Sequence, residues 1–186
     1  MAAPERIGSE DAALGRRHPL RRFQLIVMGY VALAAIFMLA VPVAAGSAGF
    51  VWNVTASAPA GLYRITREPW IRGDRVAVLP GEALGADLDR RGVLGKGKLL
   101  LKRVVAEAGD RVCRQGLSIS VNGETAAKAR KVDSHGIPLP SWQGCITLDG
   151  GQSFLLGDTP GSYDGRYFGV TAKAEIVGRA TLVYAF

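Results

Sequence analysis

The sequence has few of the residues from which proteins build metal sites. Its 186 residues include two cysteines and two histidines, at separate places in the chain. A structural zinc site needs about four cysteine or histidine ligands at short spacings. The sequence therefore predicts no metal site, and nothing in it implies a cofactor. Internal repeats and long low-complexity tracts are also absent, so repeat architectures are not expected.

Acidic residues are outnumbered by basic residues, 16 against 23, and the formal net charge is +7. The basic residues are nevertheless scattered among acids, without the compact basic surface that marks nucleic-acid binding. Nucleic acid is therefore not a predicted partner. Part of the positive charge comes from four arginines near the N-terminus, Arg16, Arg17, Arg21 and Arg22. The moderate basicity that remains suits an anionic membrane surface.

Charged residues are missing from Leu25 to Ala45. As a helix this segment would be about 31 Å long, which matches the hydrocarbon core of a bilayer. The preceding arginines predict a cytoplasmic N-terminus by the positive-inside rule. We predict a cytoplasmic basic tail (1–22), a transmembrane signal-anchor in the inner membrane (23–45) and a periplasmic domain (46–186). The alternative is a signal peptide cleaved near Ala45, although the h-region of such peptides is only about 7 to 15 residues long.

The outer domain alternates short apolar runs with turn residues, which predicts a mostly β fold. The expected strands are 62–66, 74–79, 98–105, 110–114, 117–121, 145–148, 153–157 and 175–184. Asn122-Gly123 predicts a type I′ hairpin, because both central residues of that turn need positive φ. We also predict a short helix over 82–91 and an extended polar surface insertion over 124–144.

Cys113 and Cys145 bracket the polar insertion. Both lie on the predicted periplasmic side, where an oxidising environment permits disulfides. We predict a disulfide that closes a loop of about 30 residues and stabilises the fold by about 3 to 4 kcal/mol. The alternative is a pair of buried thiols.

Lys102 lies inside an apolar run, where lysine is uncommon. If the run is a strand, alternation places Lys102 on the same face as Leu100 and Val104. Burial favours the neutral amine and lowers a reference pKa of about 10.4 by up to about 3 to 5 units. A neutral lysine can act as a general base. The alternative is that the ammonium reaches solvent at an edge while its stem packs.

Ser57 lies in a loop shortly after the apolar segment. Pro59 and Gly61 predict a tight, non-helical path that exposes the hydroxyl. The small neighbours Ala56, Ala58 and Ala60 leave room for a substrate backbone. A loop serine alone usually caps a turn, but a Ser-Lys pair supplies both a nucleophile and its base.

His135 is the alternative base, within Asp133-Ser134-His135. These three adjacent residues cannot themselves form a triad, since triad partners must meet in space. A loop with this composition is typical of turn hydrogen bonding.

Three segments, 57–63, 102–112 and 157–169, resemble the serine, lysine and glycine-aspartate boxes of the type I signal peptidases, in that family's order. The sequence Ser57-x-Pro59 resembles the conjugative transfer (TraF-type) branch, whereas housekeeping members commonly have Ser-Met-x-Pro. The resemblance covers about residues 50 to 186. It implies the mostly β fold shared with LexA-like repressors, preceded by a single N-terminal transmembrane helix.

The resemblance also implies roles for individual residues. Ser57 would be the nucleophile and Lys102 its neutral base. The backbone N–H of Ser57 would donate to the oxyanion, and Thr55 would supply a helping hydroxyl. Ser162 corresponds to a serine that hydrogen-bonds the lysine amine, although the preceding segment is about one residue shorter than in housekeeping enzymes.

Four charged residues also match family positions near the site. Arg103 and Asp158 correspond to residues that pair there, and Asp164 with Arg166 matches the Asp-x-Arg of the third box. We expect a structural ion-pair network from these residues, in preference to direct proton transfer.

The resemblance predicts a membrane-bound serine endopeptidase that cuts exported precursors after small residues. Its expected partners are a precursor protein, in particular a propilin of a conjugative transfer system, and the lipid of the inner membrane. A housekeeping signal peptidase and a non-catalytic, membrane-tethered β scaffold are the alternatives. The sequence leaves open whether the product is released by hydrolysis or cyclised by its own amine.

Overall fold

The computed structural model describes residues 19–44, 47–95 and 97–186. The chain divides into two compact units, one ending at Val41 and the other comprising Pro42–Phe186. Helix α1 (Pro19–Ala44) begins four residues before the predicted anchor, while most of the predicted tail lies outside the described residues. No helix among the described residues meets the length and apolarity needed to cross a membrane. The transmembrane anchor therefore stays a prediction.

The second unit is mostly β, as predicted. Its described residues contain eleven strands, two further α-helices and one 3₁₀ turn. The strands are β1 (Ser47–Asn53), β2 (Gly61–Thr66), β3 (Arg75–Val78), β4 (Leu100–Ala106), β5 (Arg111–Gln115), β6 (Ser118–Val121), β7 (Glu124–Lys128), β8 (Gly144–Thr147), β9 (Gln152–Leu156), β10 (Thr171–Ala172) and β11 (Ile176–Ala185). The helices are α2 (Glu82–Arg90) and α3 (Gly165–Phe168), and the 3₁₀ turn is Lys173–Glu175.

The strands form two antiparallel sheets. Within the described residues, the larger sheet has seven strands in the order β1-β2-β11-β3-β4-β9-β10. The smaller sheet has four, in the order β7-β6-β5-β8. The larger sheet brings the three sequence boxes together, because the serine loop joins β1 to β2, Lys102 lies on β4 and the third box follows β9.

The side chains of strand β4 alternate between two apolar clusters, one on each face of the strand. Leu100 and Val104 belong to the main core, whereas Leu101 belongs to a smaller cluster with Tyr63. Lys102 lies on the Leu100 and Val104 face, as the period-two pattern predicts. Its position in the middle of a buried strand is what removes its side chain from solvent.

The smaller sheet contains the predicted hairpin and the two cysteines. Asn122 and Gly123 have φ values of 53° and 90°, as a type I′ turn requires. Cys113 on β5 lies opposite Cys145 on β8, and the two form a disulfide.

The prediction of an extended insertion over 124–144 is wrong for its first five residues. Glu124–Lys128 forms strand β7, which pairs with β6. Four of its five residues are exposed, so the sequence carries none of the apolar alternation by which strands are detected. Strand β1 also went unpredicted, because its apolar residues Phe50 and Trp52 are exposed and do not alternate with polar residues.

Candidate active site

The buried side chain of Asn53, the last residue of β1, binds the backbone of the serine loop. Asn53 Nδ2 lies 3.0 Å from the carbonyl oxygen of Ala58 and 3.1 Å from that of Pro59, and donates to both. Tyr63 donates its hydroxyl to the Pro59 carbonyl at 2.9 Å. Sequence reasoning missed Asn53, although an asparagine before a Pro- and Gly-containing turn is a known signal for this kind of bonding.

Three side chains of the loop form a hydrogen-bonded row. The Thr55 hydroxyl donates to Asn53 Oδ1 at 2.8 Å. Ser57 Oγ lies 3.0 Å from Thr55 Oγ1. The backbone N–H of Ser57 has no acceptor among the described residues, so it is available to an oxyanion. Thr55 thus contacts the serine hydroxyl directly.

Lys102 and Ser57 line the same cavity, which has a volume of about 670 Å³. Lys102 is 2% exposed, and on β4 it lies opposite Val76 of the neighbouring strand β3. Within the described part of the chain, its amine makes no hydrogen bond and no ion pair. Residues 50–57, 92–95 and 98–102, together with part of the third box, form the walls of the cavity.

The environment of Lys102 lowers the pKa of its amine to about 8. Burial is the largest cause, since it disfavours the ammonium. The carboxylates of Asp164 and Asp158 act in the opposite direction, and the positive charge of Arg166 adds to the lowering. A substantial fraction of the amine is therefore neutral near physiological pH, as a general base must be.

Asp164 and Arg166 form a buried ion pair near Lys102. Asp164 is fully buried, and its carboxylate accepts hydrogen bonds from the Gly157 N–H at 2.7 Å and from Arg166 Nη1 at 2.8 Å. Arg166 also donates to the Thr159 carbonyl at 3.1 Å. Burial raises the pKa of Asp164 despite the opposing effects of Arg166 and Lys102. These bonds fix the shape of the third box, as expected for a structural network.

Asp158 connects the third box to the serine loop. Its backbone N–H donates to the Ser57 carbonyl at 2.9 Å. Its carboxylate pairs with Arg75 at 2.5 Å and with Arg103 at 3.0 Å. Burial acts to raise the pKa of Asp158, but the two arginines outweigh it and the pKa is lowered. Arg75 and Arg103 therefore fix the carboxylate of Asp158, and the backbone N–H of Asp158 in turn fixes the carbonyl of Ser57.

Ser162 lines the cavity but does not hydrogen-bond Lys102, contrary to the implied role. Its hydroxyl lies 3.5 Å from that of Thr159. The turn that precedes Ser162 brings it against Gly157, where any larger residue would collide with its side chain. The Ser162 hydroxyl therefore lies against Gly157, near the hydroxyl of Thr159.

His135 lies in a turn, away from the residues that line the cavity. Asp133 Oδ1 accepts hydrogen bonds from the backbone N–H of His135 at 2.8 Å and of Ile137 at 2.9 Å. The structure therefore gives this segment the turn chemistry expected from its composition. No group of three or more potential metal ligands occurs in the described parts of the chain.

Comparison with known proteins adds independent information. Residues 22–185 match the family described as signal peptidase, peptidase S26. The chain is 32% identical over 169 residues to the plasmid transfer protein TraF of Escherichia coli, covering 85% of this chain and 95% of that protein. It is 34% identical over 179 residues to a probable conjugal transfer protein TraF of Sinorhizobium fredii, covering 89% and 93%.

Among solved structures, the chain is similar to a signal peptidase I of Enterococcus faecalis V583, with 22% identity and a TM-score of 0.37. The similarity covers 62% of this chain and 100% of that one. The family match extends over nearly the whole chain and includes all three sequence boxes. The chain therefore belongs to the signal peptidase family, peptidase S26.

Proposed function

We propose that the protein is a membrane-anchored serine endopeptidase that removes signal peptides, with Ser57 as nucleophile and Lys102 as general base. The observation that carries the proposal is the placement of Lys102. It is 2% exposed, its pKa is about 8, and it lines the same cavity as a loop serine. A buried, unpaired lysine in the same cavity as a serine is costly for stability and useful for proton transfer.

The chemistry proposed for the pair is acyl transfer. Ser57 Oγ attacks the scissile carbonyl carbon while Lys102 takes the hydroxyl proton. The resulting ammonium gives that proton to the leaving amine as the peptide C–N bond breaks, which leaves an ester on Ser57. Water, or an amine of the esterified fragment itself, then attacks the ester carbonyl carbon. The bond from that carbon to Ser57 Oγ breaks, Lys102 passes the proton of the attacking group to Oγ, and a linear acid or a cyclic amide is released. The free N–H of Ser57 supplies one oxyanion donor, and losing such a donor typically costs about 2.7 to 4 kcal/mol of transition-state stabilisation.

The proposed location is the inner membrane, with the catalytic unit on the periplasmic side. The uncharged sequence from Leu25 to Ala45 and the arginines before it support this placement. Exposed apolar side chains on α1, among them Phe23, Ile26 and Met28, also support burial of that helix in lipid.

The proposed substrate is the pilin precursor of a conjugative transfer system. Support comes from the Ser57-x-Pro59 sequence and from the relatives named as plasmid or conjugal transfer proteins. Small residues in the cavity wall, such as Ala56 and Gly95, suit small side chains near the cleaved bond. Because one methylene is worth only about 1 to 3 kcal/mol in a pocket, recognition would also use the membrane segment of the precursor.

The dyad is tested with the full-length protein and a propilin co-expressed in the same membrane. Ser57→Ala and Lys102→Ala should each abolish processing, and Lys102→Arg should fail too because arginine does not become neutral. His135→Ala is the control and should process normally. Processing by either alanine variant would exclude the dyad and favour a non-catalytic scaffold.

The substrate is tested separately by deleting the gene. Growth and bulk secretion should continue while unprocessed pilin accumulates and mating transfer stops. Loss of viability with many uncleaved precursors would indicate a housekeeping signal peptidase. Mass spectrometry of the fragment that was esterified to Ser57 distinguishes the two products, since a cyclic chain lacks one water relative to the linear chain. A cyclic pilin would show that the cut lies at the C-terminal side of the pilin, because only then is the pilin the esterified fragment.

A further inference from the structure

A second, smaller cavity lies apart from the serine and lysine, against the four-stranded sheet. It has a volume of about 310 Å³. Its lining residues combine three cations with two leucines and a few polar groups: Arg114, Gly116, Leu117, Arg130, Lys131, Leu139, Ser141 and Gln143. None of these residues takes part in the proposed catalytic chemistry.

The unusual member of this cavity is Arg114, on β5. It is 2% exposed, yet it forms no ion pair with any carboxylate of the described residues. Its Nε donates to the Gly116 carbonyl at 3.0 Å, and its Nη1 donates to the carbonyl of Arg166. Nη2 makes no hydrogen bond with the described residues. A buried charge without a counterion is costly, so its retention calls for an anion from outside the chain.

The other two cations reinforce the positive potential at the same place. Arg130 and Lys131 are exposed and also lack ion-pair partners among the described residues. Asp133, a nearby acid along the chain, directs its Oδ1 to the backbone N–H groups of His135 and Ile137. The cavity thus collects three cations and neutralises none of them.

The rim of the cavity is held in place before any ligand arrives. Gly116 and Gln143 exchange two hydrogen bonds, at 3.0 Å and 3.3 Å. The Arg130 N–H donates to the Tyr167 hydroxyl at 3.2 Å, and the Leu139 N–H donates to the Lys131 carbonyl at 2.9 Å. A site ordered in this way loses little conformational entropy on binding.

We propose that this cavity is an anion-binding site for a carboxylate of an acidic peptide segment, with Arg114 as its buried anchor and Arg130 and Lys131 at its rim. The planar guanidinium of arginine suits a carboxylate. Leu117 and Leu139 give the cavity apolar walls, which suit the methylenes of a glutamate and its neighbours better than a bare inorganic ion. The proposal rests on the proposed function only in taking a polypeptide as the partner.

The site is also connected to the catalytic cavity through one short segment. Arg114 holds the carbonyl of Arg166, whose guanidinium pairs with Asp164 near Lys102. Tyr163, three residues earlier, lines the catalytic cavity. An acidic segment bound at Arg114 is therefore linked to the third box through the hydrogen bond from Arg114 to the Arg166 carbonyl.

Binding is tested on full-length Ser57→Ala protein in a neutral maltoside detergent, so that no cleavage occurs. The probe is a fluorescein-labelled peptide, Ala-Glu-Leu-Glu-Ala with blocked ends, followed by fluorescence anisotropy. It should bind, more weakly as salt is added, and the matched Ala-Gln-Leu-Gln-Ala peptide should bind at least about tenfold more weakly. Equal binding of the two peptides, or no binding, overturns the proposal.

Two double variants with the same change in net charge locate the site. Arg130→Glu with Lys131→Glu should reduce affinity for the acidic peptide about tenfold or more. Arg111→Glu with Lys128→Glu, on exposed residues outside the cavity, should leave affinity nearly unchanged. Both pairs are exposed, so these variants retain the fold, whereas Arg114→Leu would leave the carbonyls of Gly116 and Arg166 without this donor. Equal losses in the two doubles overturn the proposal.

The competing anions give the remaining outcomes. Inorganic phosphate should displace the peptide only at millimolar concentration, and mixed micelles of the maltoside with anionic phospholipid should not displace it better than mixed micelles with phosphatidylcholine. Displacement mainly by the anionic mixed micelles would instead assign the cavity to a lipid headgroup. Because binding is measured without catalysis, failure here leaves the Ser57 and Lys102 proposal standing.

Discussion

The hydroxyl oxygens of Thr55 and Ser57 lie 3.0 Å apart. Thr55 already donates its single hydroxyl proton to Asn53 Oδ1, so Ser57 must be the donor to Thr55. The orientation of the Asn53 amide is itself set, because its nitrogen donates to the loop carbonyls. In the resting protein the nucleophile is therefore positioned by a threonine, and its proton must turn towards Lys102 for reaction.

Replacing Thr55 tests this positioning role. Thr55→Val keeps the shape of the side chain but removes the acceptor for the Ser57 hydroxyl. We expect kcat to fall about tenfold with KM little changed, because the Ser57 hydroxyl is then less often held in position for attack. Thr55→Ser keeps the hydroxyl and should retain most of the activity. A change confined to KM, or equal activity in both variants, would contradict the role.

The pH dependence of kcat/KM tests the lysine. Only neutral Lys102 accepts the proton, so kcat/KM should rise with pH and level off above about 8. The Asp164 carboxylate raises the pKa of Lys102, so Asp164→Asn should move the rise to lower pH. Asp89→Asn, on the exposed side of α2, is the control and should leave the profile in place. A rise at higher pH in Asp164→Asn would exclude this electrostatic coupling.

Stability gives an independent measure of the same pKa. The pKa of Lys102 falls from 10.5 in the unfolded chain to about 8 in the fold, which destabilises the fold by about 3 kcal/mol below pH 8. The unfolded chain binds more protons between pH 8 and 10.5, so this penalty is relieved as pH rises through that window. Lys102→Met has no such group.

The difference in unfolding free energy between Lys102→Met and the wild type should therefore shrink by about 3 kcal/mol from pH 7 to pH 10.5. Urea denaturation at several pH values measures it. A constant difference would mean that the ammonium is solvated, as in the alternative in which Lys102 reaches solvent.

Local patterns predicted much of the fold and part of the site. The alternation around Lys102 placed its side chain on the buried face, and Asn122-Gly123 predicted the turn that the backbone adopts. Strand β7 could not be predicted, because pairing with β6 stabilises it while its side chains remain exposed. The role of Asn53 could not be predicted either, because its hydrogen bonds depend on the path by which the loop brings the Ala58 and Pro59 carbonyls back to it. The ion pairs of Asp158 join residues from three strands or loops, and no local pattern encodes such contacts.

The last prediction concerns Gly157, which begins the third box. A Cβ on this residue would lie 2.5 Å from Ser162 Cβ and 3.4 Å from Asp164 Oδ2. Its own N–H donates to Asp164, and the next residue, Asp158, holds the Ser57 carbonyl. Gly157→Ala should therefore displace the third box, lower the unfolding free energy by about 1 to 3 kcal/mol and strongly reduce processing.

Gly150→Ala is the matched control, since a Cβ there meets nothing within 4 Å. It should change stability by less than about 0.5 kcal/mol and leave processing intact. Urea denaturation and propilin processing are measured on both variants. If Gly157→Ala kept wild-type processing, the close approach of Gly157 to Ser162 would not be needed to hold the serine loop. Loss of processing with unchanged stability would show that the close approach of Gly157 to Ser162 serves the geometry of the site and not the fold. The displacement would then be passed to Ser57 by Asp158, whose backbone N–H binds the Ser57 carbonyl.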